Sequence, residues 1–259
     1  MLHSDTAMSK PAFKLNNPPI IEAVVDIECD LPPGLQVAAL EQAALDRFKD
    51  HYPRFRKQFI HEHRIEAKPD GTSNLSVLKN DVLALHFLKD DEKQLVQVRT
   101  QGFSFNRLAP YSSLDDYLPE IQRTWNLYVE LAAPVQVRAI RLRYINRFLL
   151  PTKGTRVSLD KYLRIGPRLP DEEALTLSGF LSQQTMVEEK TKNQANLVLT
   201  AQLPENEKLP VVLDNGVLSS GAGAPQDWPW ILGKIKELRA LKNIVFERTL
   251  TEECLKLFQ

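Results

Sequence analysis

Between residues 138 and 150 the chain reads Arg-Ala-Ile-Arg-Leu-Arg-Tyr-Ile-Asn-Arg-Phe-Leu-Leu. In an extended chain, side chains two apart share a face. Ile140, Leu142, Tyr144, Phe148 and Leu150 therefore fall on one side, and Arg141, Arg143 and Arg147 on the other. A row of guanidinium groups, each a planar fork of donors, can hold carboxylates or phosphates bidentately; ammonium groups cannot do so with the same geometry. The chemistry indicated is recognition of an acidic protein or an anionic ligand.

A second charged row offers a different use for those arginines. Glu22, Asp26 and Glu28 share one face of the segment Ile20-Ile21-Glu22-Ala23-Val24-Val25-Asp26-Ile27-Glu28, opposite Ile21, Val25 and Ile27. If the two segments lie side by side, the acids can pair with the arginines internally, at roughly 0.2–1 kcal/mol each and with no ligand involved. Both uses stay open. A third polar set, Gln97, Arg99 and Gln101, is expected on one face with Phe103 and Phe105; it would line a cavity, a partner-binding surface or a half-solvated sheet.

Other reactive groups do not assemble into a signature. His61-Glu62-His63 with Glu66 offers two imidazoles on one strand face, but no third ligand at metal-binding spacing. His86, between Leu85 and Phe87, is expected to be a satisfied sheet histidine. Asp214-Asn215-Gly216 reads as a turn, because Asn-Gly supplies the dihedrals of a tight reversal. GxSxG, GxGxxG and GxxxxGK[ST] are all absent. No catalytic residue, metal or cofactor is expected.

Composition bounds the class. The 259 residues include 33 Lys plus Arg and 33 Asp plus Glu, so bulk charge argues against a dedicated nucleic-acid binder and gives weak protection against self-association. Cys29 and Cys254 are too few and too far apart for a disulfide framework, which fits a reducing, cytoplasmic compartment. No secretory signal opens the sequence and no apolar run is long enough to span a membrane.

The elements that must position these groups repeat an order. Residues 1–14 are expected to be a loose tail. Residues 15–134 form a first half: a strand at 18–29, a helix from Val37 to Phe48, and strands at 55–67, 74–78, 82–88 and 94–106. The turns fall at Lys68-Pro69-Asp70-Gly71 and Asn80-Asp81, and a helix capped by Ser112 or Ser113 closes the half. Residues 135–259 repeat the plan: a long strand to Leu150, a short helix near 159–163, and strands at 180–189, 196–202 and 210–213. A flexible run at 219–225 follows, then a helix with Ile235, Leu238, Leu241 and Val245 inward. The expected fold is α+β, a single domain of two similar β-α-β(3–4)-α halves. These would form a pseudo-two-fold, mostly antiparallel sheet with helices on one face, in the manner of TATA-binding-protein-like or helix-grip architectures.

The C-terminal segment is the most specific stretch: Ile235, Leu238-Arg239, Phe246, Thr251-Glu252 and Phe258. With Pro18-Pro19-Ile20-x-Glu22-Ala23 and Arg143-Tyr144-Ile145-Asn146-Arg147, it resembles a sporadically distributed prokaryotic family of unknown function, along the whole chain. Arg239 stands where that family carries Lys or His, which speaks against a titrating base there. The resemblance implies a prokaryotic intracellular protein of an accessory or defence-linked system and transfers no active site. Physically the motif reads as a helix lock: Phe246 and Phe258 pack a helix end, while Thr251 caps the next helix and Glu252 complements its dipole.

The expected function is therefore a non-enzymatic binding or regulatory protein, with Arg141, Arg143, Arg147, Arg99 and Gln97 facing a protein partner or a second copy. The alternative is an enzyme or small-ligand receptor with an anion-fixing pocket between the sheet and the C-terminal helix. Nucleic-acid binding ranks third, and no membrane partner is expected.

Overall fold

The computed structural model describes residues 15–67, 73–152, 157–167, 178–203 and 206–259, with side chains at 61–67 and 73–80 outside the description. The first half contains β1 (Ile20–Asp30), a 3-10 turn (Val37–Leu40), α1 (Glu41–Phe48), β2 (Arg54–Ala67), β3 (Ser73–Leu88), β4 (Gln94–Arg99), β5 (Gly102–Leu108) and α2 (Leu114–Ala132). The second contains β6 (Gln136–Pro151), α3 (Leu159–Tyr162), β7 (Phe180–Val187), β8 (Gln194–Ala201), β9 (Lys208–Gly223), α4 (Trp228–Thr249), α5 (Glu252–Leu255) and a terminal 3-10 turn (Lys256–Phe258).

Among the described residues nine strands join one sheet in the order β2-β3-β4-β5-β1-β6-β9-β8-β7, and every neighbouring pair is antiparallel. The opening strand of each half meets the other at the centre, with Val25 opposite Leu142 and Asp26 opposite Arg141. Outward from that seam, each half places its last strand beside its first.

Alternation along the central strands decides what the helices cover. Val25, Ile27, Ile140, Leu142, Tyr144 and Phe148 are buried in one core with Phe48 of α1, Trp125 and Tyr128 of α2, and Ile231, Ile235 and Leu238 of α4. Removing this apolar area from water is the main driving force of the fold. Trp125 also ties the halves together: its ring packs edge-on against Phe103, and Nε1 donates to the Pro225 carbonyl at 3.0 Å. The opposite face has no helical layer among the described residues and carries the charged rows.

The long strands run through positions that read locally as turns. Asn80 and Asp81 pair with His61 and Ile60, so β3 continues where a turn is expected. Likewise Asp214, Asn215 and Gly216 pair on both sides, with β6 and β8, and β9 continues to Gly223 through the run expected to be flexible. At 214–216 a strand on each side offers backbone partners, which outweighs the local preference of Asn-Gly.

The reverse holds at residues 94–106, which form a hairpin of β4 and β5 rather than one strand. Gly102 at φ 131° makes the reversal, and an added Cβ would lie 2.2 Å from the Ile27 carbonyl oxygen. The reversal turns Phe103 and Phe105 into the core, while Gln97 and Arg99 face away from it; these groups do not share a face. Ile21, expected inward, is 39% exposed because the register shifts between Ile20 and Glu22 and lifts it out of the alternation. The expected tail at 1–14 and the turn at 68–71 lie outside the described residues.

Candidate functional site

The open sheet face is an ordered charge lattice. Arg56, His86, Gln97, Ser104, Asp26 and Arg141 stand in register across six adjacent strands. Arg143 forks onto Asp214, with Nε 3.0 Å from both carboxylate oxygens and Nη2 2.5 Å from Oδ2. That hydrogen bonding pushes the Arg143 pKa up, against the cost of partial burial. Arg141 lies 3.6 Å from Glu28, and Arg99 lies 3.4 Å from Asp26, which also accepts a short bond from Ser104. Glu22 accepts from Asn106 at 2.8 Å, and Gln97 donates to Asn106 at 2.9 Å. Arg147 is exposed on the same face, and its backbone N–H holds the Pro19 carbonyl at 2.8 Å. Beside Arg141 and Arg143 the absent side chain of Gly216 leaves a shallow depression of about 160 Å³.

His86 faces Arg56 and Gln97 in this lattice. Its Nε2 is buried without a hydrogen-bond partner, so the histidine is not fully satisfied as expected. Burial pulls its pKa down. The side chains of His61, Glu62, His63 and Glu66 lie outside the described residues. Among the described residues no cluster of three or more His, Cys, Asp or Glu could hold a metal ion. Cys29 and Cys254 are free and buried, and burial pushes both thiols up to about 12.

A much larger hollow lies on the helical side. It encloses about 690 Å³ between the sheet, the start of α2, the segment before β1, and α4. Small-molecule sites commonly have this size. Arg239, Lys242 and Phe246 form its α4 wall, at the three- and four-residue steps that place side chains on one helical stripe. β6 contributes Tyr144 and Asn146, and the lead into α2 contributes Tyr111, Ser112 and Ser113. Pro18, Pro19 and Ile20 complete it; their segment is pinned where the Asn17 N–H donates to the Phe258 carbonyl at 2.9 Å.

Lys242 is the unusual group in this cavity. Its Nζ sits 4.1 Å from the centroid of the Tyr144 ring. Among the described residues no carboxylate pairs with it. Burial, with Arg239 as a second cation nearby, pulls its pKa down from 10.5 to about 8. Arg239 itself donates to Asp115 at 2.7 Å, and that carboxylate is 61% exposed at the rim. The Tyr111 and Tyr144 hydroxyls lie 3.1 Å apart, and burial pushes both phenols up, so their O–H groups stay protonated. Ser113 caps α2 by accepting from the Asp115 N–H at 3.2 Å, which leaves that helix start facing the cavity.

The C-terminal motif divides between lock and cavity. Ile235 and Leu238 are buried in the core. Thr251 accepts from the Cys254 N–H at 3.2 Å and donates to the Lys161 carbonyl at 2.7 Å, while Glu252 sits in the first turn of α5. Phe258 packs edge-on against Phe148, with centroids 5.7 Å apart. Phe246, by contrast, borders the cavity, and Arg239 is one of the two cations in its lining.

Sequence reasoning places Tyr144 inward but assigns it only to the core, and it passes over Lys242 and Tyr111. The signal for Lys242 is visible in retrospect: it follows Leu238 and Leu241 and precedes Val245 on the inward side of α4, an apolar stripe that an amine enters only at a cost.

No family model matches the chain, and no curated protein matches its sequence. No helix among the described residues is long and apolar enough to cross a membrane.

Proposed function

We propose that the protein binds a small organic anion, a carboxylate carried on an apolar or aromatic body, in the cavity between the sheet and α4. The observation that carries this reading is Lys242, a cation inside the cavity wall with no carboxylate opposite it, three residues from Arg239. The acids of the lining, Asp115 and Asp116, are exposed, and Asp115 is already held by Arg239, which among the described residues leaves Lys242 as the lining cation with no acid of its own. Tyr144, Phe246 and Ile20 supply apolar surface for the body of the ligand.

A carboxylate held in this way gains charge-assisted hydrogen bonds in a partly dry site. Unfolding should therefore move to higher temperature with 3-phenylpropionate and much less with the neutral 3-phenylpropanol. Arg239→Gln should lose the response to the acid. Equal responses to acid and alcohol, or an undiminished response in the variant, would reject anion recognition.

A second reading places an acidic protein partner on the open face at Arg141 and Arg143. Supporting it, their side chains remain 44% and 46% exposed beside the Gly216 depression despite their ion pairs. The mirrored strand order on either side of the β1–β6 seam further supports two similar β-α-β(3–4)-α halves in a TATA-binding-protein-like or helix-grip-like architecture.

A further inference from the structure

We propose that Lys242 is an amine nucleophile that forms an imine with the carbonyl carbon of an oxo acid bound in the α4 cavity. This inference rests on the anion-binding reading above and names the ligand class more closely: a carbonyl compound whose carboxylate is held at Arg239.

Two requirements must be met for a lysine to act in this way. The amine must be free of a carboxylate that would keep it protonated, and it must open onto space large enough for a carbonyl compound. Lys242 meets both, since it lines a cavity of about 690 Å³ and no carboxylate pairs with it among the described residues. The groups facing it are Arg239 on its own helix, Tyr144 from β6, Tyr111 from the lead into α2, and Asp115 and Asp116 at the rim. Of the two acids, Asp115 is already engaged by Arg239. Burial is the main cause and the positive potential of Arg239 acts in the same direction; together they bring the ammonium to about 8. A substantial share of the amine is then neutral near physiological pH, which an exposed lysine does not achieve.

The step balances without any further reactant. The neutral amine attacks the carbonyl carbon, a C–N bond forms, and the C=O π pair passes to oxygen, which takes a proton. The nitrogen loses a proton and the carbinolamine then loses water, leaving C=N and one released water. The Tyr111 and Tyr144 hydroxyls lie 3.1 Å apart, so one O–H donates to the other and the remaining one can donate a hydrogen bond to the carbonyl oxygen, while the proton that oxygen takes is the one the attacking nitrogen releases, passed through solvent. Oxidation state does not change.

The test uses the full chain with phenylpyruvate, sodium cyanoborohydride as the hydride donor that fixes the imine as a secondary amine, and 3-phenylpropionate as the carbonyl-free control. The expected result is one adduct per chain, mapped to Lys242 by peptide mass spectrometry, suppressed by excess 3-phenylpropionate and absent in Lys242→Arg. In Arg239→Gln the adduct should need about tenfold more phenylpyruvate, because the carboxylate loses its charge-assisted fork. Melting curves of both variants check that they fold, and Lys242→Met replaces Lys242→Arg if the larger head does not fit. Labelling spread over surface lysines, or unchanged labelling in a folded Lys242 variant, would overturn the proposal. Arg239-dependent binding of both acids without any adduct would overturn imine formation and leave the anion site standing. Binding of neither acid would remove both.

Discussion

Lys242 Nζ lies 4.1 Å above the Tyr144 ring, and that aromatic face takes the place of a carboxylate as its neighbour. A ring quadrupole compensates an ammonium only in part, on the order of 1–2 kcal/mol when desolvated. The folded state therefore disfavours the charged form, and this one contact links the geometry of the cavity to stability, pH and binding.

Because the Lys242 pKa is lowered in the folded state, unfolded chains bind more protons between about pH 8 and 10.5, and stability should rise with pH across that window. Below about 8 the penalty is fully present. Urea unfolding of wild type and Lys242→Met should converge as pH rises through the window, by on the order of 2 kcal/mol once residual solvent access is allowed for. Taking the difference between the two proteins removes the opposite contribution of Tyr111 and Tyr144. A pH-independent difference would show that the amine is not perturbed.

The Arg143–Asp214 fork joins a half-exposed arginine to a mostly covered carboxylate, with 46% and 22% of their side-chain surfaces open. A double-mutant cycle with Arg143→Ala and Asp214→Ala should give a coupling of about 1 kcal/mol or less. A value several times larger would mean that the open face is far less solvated than its exposures imply.

Gly102 has no room for a side chain, since a Cβ would meet the Ile27 carbonyl oxygen at 2.2 Å and the Cys29 nitrogen at 3.0 Å. Both contacts are backbone, so β5 cannot yield without leaving β1. Gly102→Ala should cost at least about 3 kcal/mol or yield insoluble protein, measured by denaturant midpoint and recovery. A variant as stable as wild type would contradict the close approach of β5 to β1 at Gly102.

Thr251 both caps α5 and ties it to the carbonyl of Lys161. Thr251→Ala should lose about 1–2 kcal/mol, while Thr251→Ser keeps the hydroxyl and most of the stability. Equal losses in the two variants would assign the role to the methyl group.

What was legible in the sequence is what local pattern encodes. Alternation in β1 and β6 separates core from charged face, the helical spacing of Ile235, Leu238 and Leu241 finds the inward stripe of α4, and Thr251 marks the start of α5. Asn215-Gly216 misleads because a local turn preference does not outweigh backbone pairing on both sides. The run from 94 to 106 misleads for the opposite reason: alternation continues through a reversal, and only Gly102 announces it. The cavity was hidden because Tyr111, Tyr144 and Lys242 are separated along the chain and converge through the sheet and two helices. The C-terminal motif reads as packing alone, although its Arg239 and Phe246 line the cavity. Asp214, set aside as a turn residue, became the partner of Arg143 once β9 ran straight.

The most direct test of the anion-site account is a crystal structure of the protein soaked with 3-phenylpropionate. The account predicts the carboxylate on Arg239 inside the cavity, with the phenyl ring against Tyr144 and Phe246. A ligand bound instead beside Arg141 and Arg143 on the open face, or a cavity left empty at saturating ligand, would contradict it.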